Sequence, residues 1–82
     1  MENRTYRIDI DPDELQAVGM TQSELTTLFD DVEGYHIYIN DISADTTAEG
    51  IEEAENKVTS VLEQHIDDTT QIQYVISGGR TF

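Results

Sequence analysis

The stretch TYRIDIDPDE, residues 5–14, decides the fold because it specifies a strand and the start of a helix in immediate succession. Every second residue of its first half is apolar, namely Tyr6, Ile8 and Ile10. That period is typical of a strand with one buried face. Asp11 is then a favourable N-cap, and Pro12 is a favourable first residue of a helix. The sequence therefore predicts a strand over residues 5–11 that leads directly into a helix.

Downstream of this stretch the sequence predicts two short helices. The first ends at Gly19, a residue that favours the C-terminal cap. The second begins at the N-cap Thr21, and Glu24 three residues later completes a capping box. Its apolar stripe has helical spacing and consists of Leu25, Leu28, Phe29 and Val32. Gly34 is its expected end.

A second strand and a long helix are predicted next. Residues 35–42 alternate between apolar and polar side chains, which indicates a strand. A helix is expected from about residue 47 to residue 66, with Asp45 or Thr46 as its N-cap. Its apolar stripe is Ala48, Ile51, Ala54, Val58, Val61, Leu62 and Ile66.

The last predicted strand covers residues 71–77. The apolar residues that share one of its faces are Ile72, Tyr74 and Ile76. Gly78 and Gly79 then predict a hairpin turn, after which a fourth strand is either a stub or continues beyond Phe82. The order β-α-α-β-α-β, with this optional strand, predicts an α+β fold with helices on one face of a three- to four-stranded mixed sheet. The mixed character is expected because the final strand-helix-strand unit favours a parallel crossover.

Composition limits the class of protein. The chain has 82 residues, enough for a single domain over residues 1–82, and its 18 Asp and Glu against 4 Lys and Arg give a formal net charge of −14. So few cations exclude direct binding to nucleic-acid phosphates or to an anionic membrane surface. The absence of Cys excludes a disulfide framework, and no apolar leader or spanning segment occurs, so we expect a cytoplasmic protein. Self-repulsion at this charge predicts that salt stabilises the fold.

A calcium site is the only metal site that a motif suggests. Asp9, Asp11 and Asp13 match the first ligand positions of a calcium loop. Glu14 stands where that loop needs Gly, and Met20 stands where it needs a bidentate Glu. The pattern therefore favours a strand end that runs into a helix cap, and no metal is expected.

No motif typical of a catalytic site is found, and with 18 Asp and Glu residues, pairs of carboxylates arise by chance. His36 and His65 are the only histidines, and neither has a second His or a Cys nearby in the sequence to complete a metal site. Ser77 precedes two glycines, but Val75 stands where a nucleophile elbow has its first Gly. We therefore expect both histidines to be structural and the protein to be non-enzymatic, without a cofactor.

Residues 5–25, TYRIDIDPDELQAVGMTQSEL, resemble the start of MecA-type adaptor proteins. Those proteins open with a strand T-[IV]-R-[VI]-x-[IL], followed by an acidic pair, a Leu, a Gly, an apolar residue, a Thr and an acidic-Leu step. The matching positions are Thr5, Arg7, Ile8, Ile10, Asp13, Glu14, Leu15, Gly19, Met20, Thr21, Glu24 and Leu25. The resemblance implies the substrate-recognition domain of an adaptor that delivers proteins to a Clp-type unfoldase. It identifies no individual binding residue.

Helix starts account for part of the acidity, and the unexplained acidic residues are candidates for partner binding. The residues explained by helix starts are Asp11, Asp13, Glu14, Glu24 and Glu49. The candidates are Asp30, Asp31, Glu33, Glu52, Glu55, Glu63, Asp67 and Asp68. The expected partner is another protein with a basic or unfolded segment, bound through the acidic surface or an exposed strand edge.

Two other functions are compatible with the same charge. An acidic protein can mimic nucleic acid and occupy the basic groove of a DNA- or RNA-binding protein, as a phage-encoded inhibitor of a defence nuclease would. Alternatively, the charge serves solvation alone, as in salt-adapted proteins. We rank the last hypothesis lowest because the apolar residues are rich in Ile and poor in Ala, which is not the composition expected of that class.

Overall fold

The sheet has four strands in the order β2-β3-β1-β4, and all neighbouring strands are antiparallel. The computed structural model describes residues 3–67 and 69–81. The strands are β1 (Asn3–Ile10), β2 (Val32–Glu33), β3 (His36–Ser43) and β4 (Ile76–Thr81). The strand at the N-terminus therefore lies at the centre of the sheet, and β4 lies at one edge.

The helices connect these strands in the predicted order. They are α1 (Pro12–Ala17), α2 (Gln22–Leu28), α3 (Thr47–Glu63) and α4 (Ile72–Val75), with a short 3-10 turn at Thr69–Gln71 before α4. The predicted α+β class and element order are confirmed, but the sheet is antiparallel rather than mixed. β3 and β4 do run in the same direction on either side of α3, as a crossover requires. They are not neighbours because β1 lies between them.

The core lies between the sheet and α3. The alternating apolar residues of β1 are buried, and α3 presents its stripe to them through Ala54, Val58 and Leu62, each 0% exposed. The buried apolar residues are Tyr6, Ile8, Ile10, Leu15, Met20, Leu25, Phe29, Ile37, Ile42, Ala54, Val58, Leu62, Ile66, Ile72 and Val75. The opposite face of the sheet is polar, which gives the two layers that a half-buried alternating strand requires.

Side-chain caps start the first three helices as predicted. Oδ1 of Asp11 accepts hydrogen bonds from the backbone N–H groups of Asp13 at 2.9 Å and Glu14 at 3.3 Å. Thr21 accepts one from the N–H of Glu24 at 3.4 Å. For α3 the cap is Thr46, whose hydroxyl oxygen accepts a hydrogen bond from the N–H of residue 49 at 3.1 Å. These bonds satisfy N–H groups that the helices leave without a partner.

The strand predicted over residues 71–77 is wrong in its first part, which forms α4. Ile72 and Val75 are 2% and 0% exposed, whereas Tyr74 is 57% exposed. Apolar residues three positions apart share a face in a helix and not in a strand. The hairpin predicted at Gly78 and Gly79 is also wrong, because both glycines lie inside β4.

The end predicted for the second helix is wrong as well. α2 ends at Leu28, and Val32 belongs to β2 rather than to the helical stripe. β2 forms a hairpin with β3, and its turn contains Gly34 in the left-handed region at φ 61°. The glycine therefore serves a strand turn and not a helix end.

β3 contains an extra residue that changes which of its side chains face the core. Tyr6 lies opposite Ile39, but Arg4 lies opposite Ile42, so three residues of β3 match two of β1. The bulge includes Asp41, whose φ of 61° is the only positive value of a non-glycine residue in the described part of the chain. Ile37 and Ile42 are both buried because the bulge inverts the alternation between them.

Candidate partner-binding surfaces

The sheet face that the helices leave uncovered carries a cluster of charges centred on Asp9. Oδ1 of Asp9 lies 2.8 Å from Nδ1 of His36 and 2.9 Å from Nε of Arg7. Oδ2 of Asp9 lies 3.3 Å from an Nη atom of Arg80. The register brings them together, since Asp9 is opposite His36 on β3 and Arg7 is opposite Arg80 on β4. Two of the 4 basic residues in the chain therefore contact one carboxylate.

Within this cluster, the contact between Arg7 and Asp9 has a structural role. Its Nε atom is inaccessible to water and makes no aligned hydrogen bond within the described residues, although Oδ1 of Asp9 is 2.9 Å away. The contact is therefore an ion pair without a well-directed hydrogen bond. A buried cationic nitrogen needs a nearby negative charge, so Asp9 stabilises the placement of Arg7.

The calcium-loop residues have separate roles in the structure. Asp9 contacts cationic side chains, and Asp11 caps α1. Among residues 3–67 and 69–81, no group of three or more His, Cys, Asp or Glu side chains is arranged to hold a metal ion.

The acidic candidates do not form one patch. Asp31 and Glu33 border a shallow hollow on the uncovered sheet face, together with Tyr38 and Asn40. Glu52 and Glu63 are exposed on α3, on the side away from its buried stripe. These pairs therefore lie on opposite surfaces of a two-layer domain, and no single flat partner covers both.

The remaining candidates are dispersed. Asp30 is exposed in the turn before β2, and Asp67 is exposed beyond the end of α3. Asp68 lies outside the described residues. Glu55 is the only half-buried member of the set among the described residues, and it lines a groove between α3 and β4.

That groove lies beside the first half of β4, an edge strand of the sheet in the described part of the chain. β4 pairs with β1 on one side, and no strand among the described residues pairs with its other side. The groove has a volume of about 330 Å³, and Glu55, Thr59, Ile76 and Ser77 are among the residues that line it. An open edge next to a groove is a place where an extended peptide can pair with the sheet.

Gly79 allows α3 to lie close to this edge strand. A Cβ at this position would be 2.9 Å from Cγ2 of Ile51 and 3.0 Å from Cδ1 of Ile8. It would also be 3.4 Å from Oε1 of Glu55, so this carboxylate lies directly over β4. A side chain at this position would require the side chains of Ile51 and Ile8 to shift.

Sequence reasoning missed β4 as a candidate surface. A pair of glycines predicts a hairpin turn, but glycine inside a strand also marks the close approach of another element. This second interpretation of Gly78 and Gly79 is the sequence signal that could have identified β4.

Comparisons with known proteins add no family assignment. The chain matches no protein-family model, no curated protein and no solved structure. The resemblance of residues 5–25 to MecA-type adaptors therefore stays a hypothesis. In the described part of the chain, none of the helices combines the length and the apolar character needed to cross a lipid bilayer.

Proposed function

We propose that this chain is a non-enzymatic protein-interaction module that binds an extended segment of a partner protein as an added strand along β4. The observation that carries the proposal is the free edge of β4, which has β1 on one side and no paired strand on the other among the described residues. Main-chain N–H and C=O groups at such an edge supply affinity, and neighbouring side chains supply selectivity. Gly78 and Gly79 add no side chain that would shield this backbone.

The surroundings of β4 support this proposal. Tyr74 precedes the strand by two positions and is 57% exposed, and the half-buried Ile76 begins the strand. Exposed aromatic residues are enriched in protein interfaces. At the opposite edge, the 2-residue β2 pairs only with His36 and Ile37, and the rest of β3 contains the bulge with Asp41. Short strands and bulges both protect an edge from pairing.

The resemblance to MecA-type adaptors is compatible with this mode of binding. A domain that receives unfolded substrates must accept many sequences, and pairing through the main chain tolerates different side chains. We therefore keep delivery of substrates to a Clp-type unfoldase as the cellular role within this proposal.

Mimicry of nucleic acid is the second candidate, and the outer face of α3 favours it. The exposed acidic residues of α3 are Glu49, Glu52, Glu53 and Glu63. A rise of about 1.5 Å per residue spreads them over about 21 Å of helix axis, or about one charge per 5 Å. Duplex DNA carries about one charge per 1.7 Å. This low density places mimicry behind strand addition.

Amide hydrogen exchange tests the proposal directly. A peptide selected from a random phage-displayed library supplies the ligand, and exchange is measured for the free and the bound protein. Strand addition is expected to slow alternate amides in residues 78–81 of β4, because every second residue of a regular edge strand directs its N–H outward. The register shift against β1 between residues 76 and 78 interrupts this alternation at the start of the strand.

The double charge reversal Glu52→Lys and Glu63→Lys is the matched control. Both residues lie on the outer face of α3, so strand addition predicts that peptide pairing with β4 persists in this variant. Protection confined to α3, together with loss of binding in the variant, would contradict strand addition and favour mimicry.

A further inference from the structure

We infer that the segment bound along β4 is basic on the face that meets α3 and acidic or neutral on the face that meets Arg80. The inference rests on the proposed function and specifies the chemistry of its partner. It follows from the different charges on the two sides of the β4 edge.

The helix side of the edge is acidic. Oε1 of Glu55 lies 3.4 Å from the position of a Cβ at Gly79, so the carboxylate stands over the edge strand. Glu55 is half-buried and borders the groove beside Ile76 and Ser77. An added strand would lie about 4.8 Å from β4, and a Lys or Arg side chain on its helix side spans that distance.

The uncovered side of the edge is basic. Arg80 is opposite Arg7 in the sheet, and its side chain is 64% exposed despite its 3.3 Å contact with Asp9. The guanidinium group has five N–H donors, so one contact leaves donors for a ligand. Like charges on adjacent strands are destabilising, so a cation is disfavoured on this side of the added strand and a carboxylate is favoured.

Side chains of an extended peptide alternate between the two faces of a sheet, so a simple sequence pattern meets both requirements. A peptide of alternating Lys and Glu can direct all its Lys side chains to the face that carries Glu55 and all its Glu side chains to the face that carries Arg80. A shift of one residue would reverse both contacts, so the charges also select the register.

Short synthetic peptides test this inference. They have about six residues, a typical strand length, and alternate Lys with Glu, Lys with Thr, or Glu with Thr. Affinity is measured by fluorescence polarisation at physiological ionic strength. We expect the Lys-Glu peptide to bind most tightly and the Glu-Thr peptide most weakly.

Matched variants separate the local contact from general attraction to an acidic protein. Glu55→Gln and Glu63→Gln each remove one negative charge from α3, but only Glu55 lines the groove. Glu55→Gln is expected to lower the affinity for the Lys-Thr peptide about two- to fivefold, which is the effect of losing an ion pair of up to about 1 kcal/mol. Glu63→Gln is expected to change its affinity less than about twofold, because exposed charges farther apart than a Debye length are largely screened. Arg80→Gln should reduce the preference for Lys-Glu over Lys-Thr.

The outcomes distinguish this inference from the proposed function. Equal losses for Glu55→Gln and Glu63→Gln would overturn the inference, since they indicate attraction without a defined contact. Peptides that slow exchange in β4 with equal affinity whatever their charge would overturn the inference and leave strand addition standing. Peptides that bind without slowing any β4 amide would overturn strand addition itself.

Discussion

The aromatic ring of Tyr6 occupies the space that a Cβ at Gly50 would need. Cζ and the hydroxyl oxygen of Tyr6 overlap this position, and Cε2 lies 2.7 Å from it. Gly50 is buried in α3, where glycine costs about 1 kcal/mol relative to alanine. This contact sets the distance between α3 and β1, and hence also the height of Glu55 above the neighbouring β4.

Gly50→Ala is expected to destabilise the protein although alanine favours helix. Overpacking a core costs about 1–3 kcal/mol, and the direct overlap with the Tyr6 ring puts this site in the upper part of that range, above the propensity gain of about 1 kcal/mol. The change in unfolding free energy is measured by urea denaturation. Ser60→Ala, an exposed position in α3, is the control and should be neutral or slightly stabilising.

A double variant tests the cause of that loss. If the Tyr6 ring is responsible, Gly50→Ala costs less in a Tyr6→Leu background than in the natural chain. Equal costs in the two backgrounds would mean that the ring is not what excludes a side chain at position 50.

Asp9→Asn is expected to lower stability by about 1–3 kcal/mol, between the values for exposed and buried ion pairs. The substitution leaves the inaccessible Nε of Arg7 without its nearby negative charge. Arg80→Gln is the comparison, and it should cost less than about 1 kcal/mol because Arg80 is 64% exposed. Chemical denaturation measures both, and equal effects would show that the buried Arg7 contact has no special weight.

The bulge in β3 predicts how substitutions at Asp41 rank in their effect on stability. Left-handed backbone is tolerated by Asn and Gly but disfavours β-branched residues. Asp41→Asn and Asp41→Gly should stay within about 0.5 kcal/mol of the natural protein, whereas Asp41→Val should lose about 1–2 kcal/mol. Thermal unfolding ranks these variants, and a Val variant as stable as the Gly variant would contradict the φ of 61°.

Salt is expected to raise the melting temperature. The acidic side chains that give the net charge of −14 repel one another in the folded state. Raising sodium chloride from about 0.01 M to about 1 M shortens the screening length from about 30 Å to about 3 Å and so weakens this repulsion. Chloride is preferred to sulfate, because sulfate stabilises proteins by exclusion from their surface. A melting temperature that stays constant or falls would show that attractive pairs outweigh the repulsion.

Local signals predicted the elements whose stability depends on neighbouring residues in the chain. The Asp11, Thr21 and Thr46 caps formed as expected because a cap needs only residues within three positions. The failures occurred where a distant element decided the outcome. Residues 72–75 became helical because Ile72 and Val75 both reach the core, and alternation in residues 71–77 gave no sign of that.

The candidate site was predicted only in part. Glu55 was among the acidic candidates, but charge alone could not separate it from Glu52 three residues earlier on the same helix. What separates them is the rotation of α3 over the sheet, which brings one carboxylate beside β4 and leaves the other in solvent. That rotation depends on packing between residues far apart in the chain, such as Tyr6 and Gly50.

The sequence by itself determined the α+β class, the element order, the first strand and the starts of the first three helices, because periodicity and capping are properties of short segments. Only the tertiary structure decided that β1 lies between β3 and β4 and that β4 pairs on one side only among the described residues. It also decided that Arg7, His36 and Arg80 all contact Asp9. Strand order and edges depend on contacts between segments tens of residues apart. Such contacts depend on how all the elements together bury their apolar surface, and a local sequence pattern does not encode them.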